Sequence, residues 1–241
     1  MAQQALARIA RPLTTVDVAI FTVAREALQL LLVLRPETPG EPFPGCWALP
    51  GGFVDIGRDA DLPGCALRKL KQKAGVASPY LEQLGGWGSA RRDPRGWSTT
   101  HAYFALIPHQ PLALKAGGNA PDARWFPVRG SGVSVRLAFD HAKILDAAVS
   151  RLRSKVEYTS LPAFVLPREF TLTELQRSYE IVLGRALERS AFRTRVLAAD
   201  LIEPVGKTRQ GPNRPAQMYR LRNPRKPVFF TRTFNPRQAR G

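Results

Sequence analysis

The 241-residue sequence predicts an α/β (α+β) sandwich domain followed by a winged helix-turn-helix domain. Three observations carry the prediction. Strand-like apolar runs alternate with two amphipathic segments over residues 1–157. From Thr171 onward the order becomes helix, turn, helix and two short basic strands. The charge is uneven as well. Residues 1–150 hold 17 basic and 12 acidic side chains, a net of +5, whereas residues 151–241 hold 19 and 7, a net of +12.

Val16–Val23 and Leu28–Leu34 are rich in β-formers and flank a short polar turn, so they read as neighbouring strands. A Pro/Gly-rich loop follows, from Pro36 to Cys46, and leads into WALPGGFVD. Leu62–Lys73 reads as a helix that begins near Pro63 and Gly64. Leu84–Ser89 and Thr99–Leu106 read as strands joined by the charged loop RRDPRGW, and ARWFPV as another short strand. In LAFDHAKILDAAVSRLRSKV, Leu137, Ile144, Leu145, Ala148, Val149 and Leu152 recur at helical period.

Pro162 and Pro167 interrupt an apolar stretch between Glu157 and Phe170, which places a domain boundary there: 1–157, then 158–222. Thr171 with Glu174 three residues on forms a capping box, Leu172, Leu175, Tyr179 and Val182 follow at helical spacing, and Gly184 ends the helix. Ser190 opens a second helix through Ala199, with Phe192, Val196 and Leu197 as its core side. LIEPV and AQMYRL read as the two strands of a wing. Residues 223–241, Pro-rich and basic with Phe229, Phe230 and Phe234, are expected to be a disordered tail or a DNA-binding arm.

Composition narrows the function. The 36 Lys and Arg against 19 Asp and Glu give +17 and a pI near 11.0, a field that favours nucleic acid, an anionic membrane or phosphorylated small molecules. Ten of those basic residues lie from Leu201 onward, against one acid, Glu203, so the polyanion partner belongs to the C-terminal half. Cys46 and Cys65 stand without a CxxC or Cys/His cluster, which excludes a disulfide framework or zinc site and fits a reducing cytosol. The apolar runs fall short of the roughly 20 residues a membrane span needs, and no export signal opens the chain. A cytoplasmic, nucleoid-associated protein with no membrane partner is expected.

LPGGFVDIG followed by ALRKLKQKAGV resembles the Nudix signature, Gly-x5-Glu-x7-Arg-Glu-apolar-x-Glu-Glu-x-Gly-apolar, and ARWFPV resembles a late strand of the same fold. The resemblance implies a loop–helix–loop that holds a divalent metal against a diphosphate through glutamates. Gly52 matches the first glycine and Arg68 the motif arginine. The glutamates do not match: Arg58 and Lys69 stand at the first two positions, Gln72 and Lys73 at the adjacent pair. Nine residues, not seven, separate Arg58 from Arg68. Four carboxylates would carry −4; this set carries +3 and repels Mg²⁺. No catalytic residue, metal or cofactor is therefore expected. Arg58, Lys69 and Lys73 are left as solvated surface or as direct phosphate contacts. Asp55, Asp59 and Asp61 lie nearby, before the helix and at the wrong spacing for a rescued metal site.

In the back half, Arg189, Ser190, Arg193, Thr194 and Arg195 are the candidates on the helix that enters the major groove. Arg193 and Arg195 are expected to matter most for sequence choice, while Lys207, Thr208, Arg209 and Arg214 of the wing hold phosphate. LAFDHAKIL, EYTSLPAFVLP, FTLTELQRSYEIVLGRAL and GPNRPAQMYRL, in that order, resemble the Nudix-related transcriptional regulators of NAD metabolism, as does YLEQLGGWGSARRDPRG. The resemblance spans about residues 12 to 222. It implies a homodimeric repressor that binds a double-stranded DNA operator and senses ADP-ribose or a related phosphorylated nucleotide or sugar. Such an effector is expected near Arg35, Gly51, Gly52 and Arg68, with Arg91, Arg92 and Arg95 reaching its diphosphate. The rivals are an active Nudix hydrolase, which the missing glutamates oppose, and an RNA-binding protein, which the helix-turn-helix order opposes.

Overall fold

The computed structural model describes residues 11–75, 80–109, 122–210, 215–230 and 234, excluding the side chains of residues 73 and 74. Strands β1 (Leu13–Ala24) and β2 (Ala27–Leu34) form a hairpin whose exposed turn places Arg25 and Glu26 at positive φ, and both strands are extensively buried because the sheet is covered on two faces. β3 (Trp47–Ala48) and β7 (Ala123–Pro127) pair with β2, β4 (Gly51–Phe53) pairs with β1, and β6 (Ser98–Leu106) lies parallel to β1 with β5 (Tyr80–Ser89) outside it.

Alternation along β1 divides the core. Val16, Val18 and Ile20 face α1 (Leu62–Ala74) with its Cys65, Ala66 and Leu70; Ala19 and Phe21 face α2 (His141–Val156) with Ile144, Leu145, Ala148 and Val149. α1 starts where expected because the Asp61 carboxylate accepts from Gly64 N, and it ends at Gly75, whose φ of 71° suits glycine. α2 starts later than the apolar period suggests. Leu137 pairs with Trp47 instead, and Phe139 at φ 55° breaks the run before Asp140 begins the helix.

The stretch broken by Pro162 and Pro167 is a buried 3₁₀ helix, Leu161–Val165. It fills the seam between the two halves, so that one hydrophobic core runs from Phe21 to Val196. α3 (Leu172–Leu183) carries the capping box of Thr171 and Glu174 and ends at Gly184 in left-handed conformation. α4 (Arg189–Ala198) follows, capped by Glu188 rather than Ser190: the Glu188 carboxylate accepts from Ser190 N and Ala191 N. β8 (Phe170–Thr171), β10 (Ala216–Leu221) and β9 (Ile202–Arg209) close the winged helix as a three-stranded sheet.

Residues 223–230 and 234 depart from the disorder expected of the tail, while 231–233 and 235–241 lie outside the described residues. Ser160 N donates to Val228 O, Phe230 N to Tyr158 O and Phe234 N to Glu157 O. Phe230 is 9% exposed, and Phe234 packs on Tyr179, Phe192 and Phe230. Phe230 and Phe234 have a core to join, whereas Phe229 stays 63% exposed, and the burial of the first two offsets the ordering entropy of this segment.

Candidate functional site

The front-domain site is built on β4. A Cβ at Gly51 would overlap the Asp17 carboxylate and the Val16 carbonyl, so glycine is required for β4 to lie against β1. Gly52 has φ 143°, and a Cβ there would lie 2.8 Å from Lys69 Nζ. Both glycines thus have packing reasons as well as a place at the site.

Behind β4 lies a buried polar cluster. Arg92, 7% exposed, donates from Nη2 and Nε to the Asp140 carboxylate at 2.9–3.2 Å and stands 3.7 Å from Asp17. His141 Nδ1 accepts from Leu49 N at 3.0 Å, which leaves the ring proton on Nε2, 3.5 Å from Asp17. Burial pushes the Asp17 carboxyl up, but His141, then Thr100 and Arg92, outweigh it and hold the group below its ordinary range. Arg92, expected to reach a diphosphate, is instead turned inward, because the buried Asp17 and the partly buried Asp140 need a cation. Asp17, Asp140 and His141 were missed: a helix N-terminus facing a buried polar pair has no periodic signal in sequence.

Arg35 and Arg95 converge on the rim. Arg35 donates to Pro42 O and Glu41, both at 2.6 Å, and lies over the Phe139 ring at 4.8 Å. Arg95 pairs with Asp93 at 2.8 Å and lies over the Phe53 ring at 5.1 Å. Burial, and then the repulsion of Arg95, lower the Arg35 pKa against the pull of Glu41, which places the two guanidinium groups within each other's field. Arg91 is exposed on the same loop.

Arg68 does not reach this rim freely. Its guanidinium is doubly hydrogen-bonded to Asp59, whose carboxylate also accepts from Asp55 N at 2.8 Å. Those bonds hold Asp59 far below the usual carboxylate range. Asp61 caps α1 and Asp55 accepts from Gly57 N, so each acid near the box has a structural partner. Burial and Asp59 push the Cys65 thiol up to about 11, which leaves no thiolate near neutral pH. Gln72 accepts from Arg68 at 3.4 Å, Arg58 is exposed, and the Lys73 side chain lies outside the described residues.

In the back half, α4 buries Phe192 and Val196. Arg189, Ser190, Ala191, Thr194, Leu197 and Ala198 are exposed, and Leu197, expected in the core, is 51% exposed. Leu197 turns outward because Phe192 and Val196 alone, one turn apart, face Tyr179 and the core. Arg193 is half-buried, and Arg195 packs over the Phe234 ring at 4.2 Å. In the wing, Lys207 pairs with Glu169 at 3.5 Å and Arg209 with Glu174; Thr208 is exposed, and Arg214 lies outside the described residues.

Comparison with known proteins covers both halves. Residues 13–148 match the NUDIX domain, and residues 162–221 match the NrtR DNA-binding winged helix domain. The chain is 45% identical over 210 residues to the ADPR responsive transcriptional repressor NtrR of Acinetobacter baylyi, covering 87% of this chain and 82% of that one. The crystal structure of Shewanella oneidensis NrtR complexed with a 27mer DNA superposes with a TM-score of 0.82 at 39% identity, over 92% of this chain and 99% of that one. The NUDIX domain of the same Shewanella protein, complexed with ADP ribose, gives 0.55 at 38% identity, over 63% of this chain and 99% of that one.

Proposed function

Because this chain belongs to the family of Nudix-domain regulators that end in an NrtR-type DNA-binding winged helix, we propose that it is a transcriptional repressor whose front domain senses ADP-ribose or a related phosphorylated nucleotide or sugar. The observation that carries the reading is a single core shared by a cationic, glycine-floored site and a basic winged helix. α2 joins them. Its first turn contributes Asp140 and His141 to the cluster behind β4, and near its end Arg153 Nε donates to Val182 O of α3 at 3.1 Å. A ligand that shifts the Arg92 loop bears on Asp140, and through α2 on the helix-turn-helix.

The protein acts as a homodimer on a two-fold symmetric operator in the cytoplasm, since one winged helix reads one half-site. It does not hydrolyse its effector, because the positions of the metal-binding glutamates carry Arg58, Lys69, Gln72 and Lys73. Fluorescence anisotropy on DNA from upstream of the neighbouring genes tests the reading, with ADP-ribose titrated to millimolar. Specific binding at roughly 10⁻⁸ M or tighter is expected, shifted at least about tenfold by the nucleotide. No specific DNA binding, or AMP release with Mg²⁺ above roughly 1 s⁻¹, overturns it.

A further inference from the structure

A Nudix-type frame implies a divalent ion between helix and diphosphate, and the residues here do not fit one. Among the described residues no three His, Cys, Asp or Glu side chains converge as hard-cation ligands. Asp59 is held by Arg68, Asp61 caps α1, and Asp55 closes a turn. In their place stands Lys69, on the inner side of α1. Its chain crosses to β4, where Nζ lies in the space that the missing side chain of Gly52 leaves open.

Lys69 forms no ion pair or hydrogen bond among the described residues, although it is half-buried. Burial, and then the neighbouring charge of Arg68, outweigh the pull of Asp59 and Asp17 and lower its pKa, so a partly desolvated ammonium lies with no carboxylate in contact with it among the described residues. One residue further along β4, Arg95 lies over the Phe53 ring, so the strand has a second cation against it. An arriving diphosphate would relieve both the desolvation and the repulsion.

We propose that the Lys69 ammonium substitutes for the metal ion, so that this site binds a diphosphate ligand directly and without Mg²⁺. The inference rests on the effector reading above and specifies how that site works. It also assigns Gly52 a second role, leaving space for Nζ.

Calorimetry of the full-length protein with ADP-ribose tests it, in EDTA and in millimolar MgCl₂. The wild-type dissociation constant should be at least as tight in EDTA, because Mg²⁺ neutralises the diphosphate without finding a ligand set on the protein. Lys69→Gln should weaken binding on the order of tenfold in EDTA, and Lys69→Arg should recover part of the loss. If Lys69→Gln fails to fold, as judged by its melting curve, the metal dependence of the wild type decides. Binding that requires Mg²⁺, or a Lys69→Gln protein that binds as well as wild type, overturns the inference and leaves the effector reading standing. Absence of ADP-ribose binding under both conditions overturns the effector assignment, and this inference with it.

Discussion

Arg195 lays its guanidinium over the ring of Phe234, 4.2 Å from the centroid, so the helix proposed to read DNA is clasped by a residue beyond the wing. The same ring touches Phe192 of α4 and Tyr179 of α3 at centroid distances of 5.9 and 5.2 Å, and Arg185 donates to the Phe234 carbonyl at 3.1 Å. Phe234→Ala is expected to cost about 2 kcal/mol, below the value for a fully buried ring because Phe234 is half-buried. Urea unfolding checks this; unchanged stability would show the tail to be dispensable.

The same contact divides the roles of the arginines on α4. Arg195 positions the helix, whereas Arg189, Ser190 and Thr194 lie on its open side. Thr194→Ala should relax preference at one base pair by roughly 1–3 kcal/mol, while Arg195→Ala should weaken operator and scrambled DNA alike. Anisotropy on both DNAs separates the two. A loss of preference at a single base pair in Arg195→Ala would return that residue to direct readout.

Lys207 and Arg209 are exposed and paired with Glu169 and Glu174, and pairs of this kind are weak enough to be exchanged for phosphate. Each alanine substitution should weaken binding to every sequence and lower the salt slope by about one. A slope that stays at the wild-type value after both substitutions would remove the wing from the interface.

Arg92 is the cation of a buried cluster, and removing one partner of such a pair leaves charge uncompensated. Arg92→Ala should destabilise the protein by about 3 kcal/mol, measured by urea unfolding. A loss below about 1 kcal/mol would show that His141 and Thr100 suffice for Asp17, and solvent for Asp140.

Stability should fall on the acid side. Asp59, through the hydrogen bonds from Arg68, and Asp17, through the neighbours that outweigh its burial, both sit below their ordinary value of 3.8. A carboxyl with a depressed folded pKa stabilises the fold above its unfolded pKa, and that contribution is lost as pH falls through the folded value. Melting temperature should therefore drop below about pH 4, with a shallower slope in Asp59→Asn than in wild type. Identical slopes would contradict the role given to the Arg68–Asp59 pair.

Much of the fold was legible because local signals were strong. Pro63 and Gly64 marked the start of α1, Thr171, Glu174 and Gly184 bound α3, and the β-rich runs became β1 and β2. Where reading failed, partners distant in sequence decided. Leu197 has the apolarity of a core residue, yet α4 turns only Phe192 and Val196 inward. Arg92 and Arg95 belong to one loop and look alike in sequence, but Asp140, 48 residues from Arg92, draws the first inward while the second stays at the rim.

By itself the sequence determined the order of elements, the loss of the glutamate ligands and the concentration of positive charge in the back half, since each follows from side-chain chemistry or local backbone preference. Only the tertiary structure decided that Lys69 reaches Gly52, that Arg195 packs on Phe234, and that Phe230 and Phe234 complete the core. The physical reason is that a charge or an aromatic ring acquires its role from the desolvation and partners of its final position, and those come from chain segments far away.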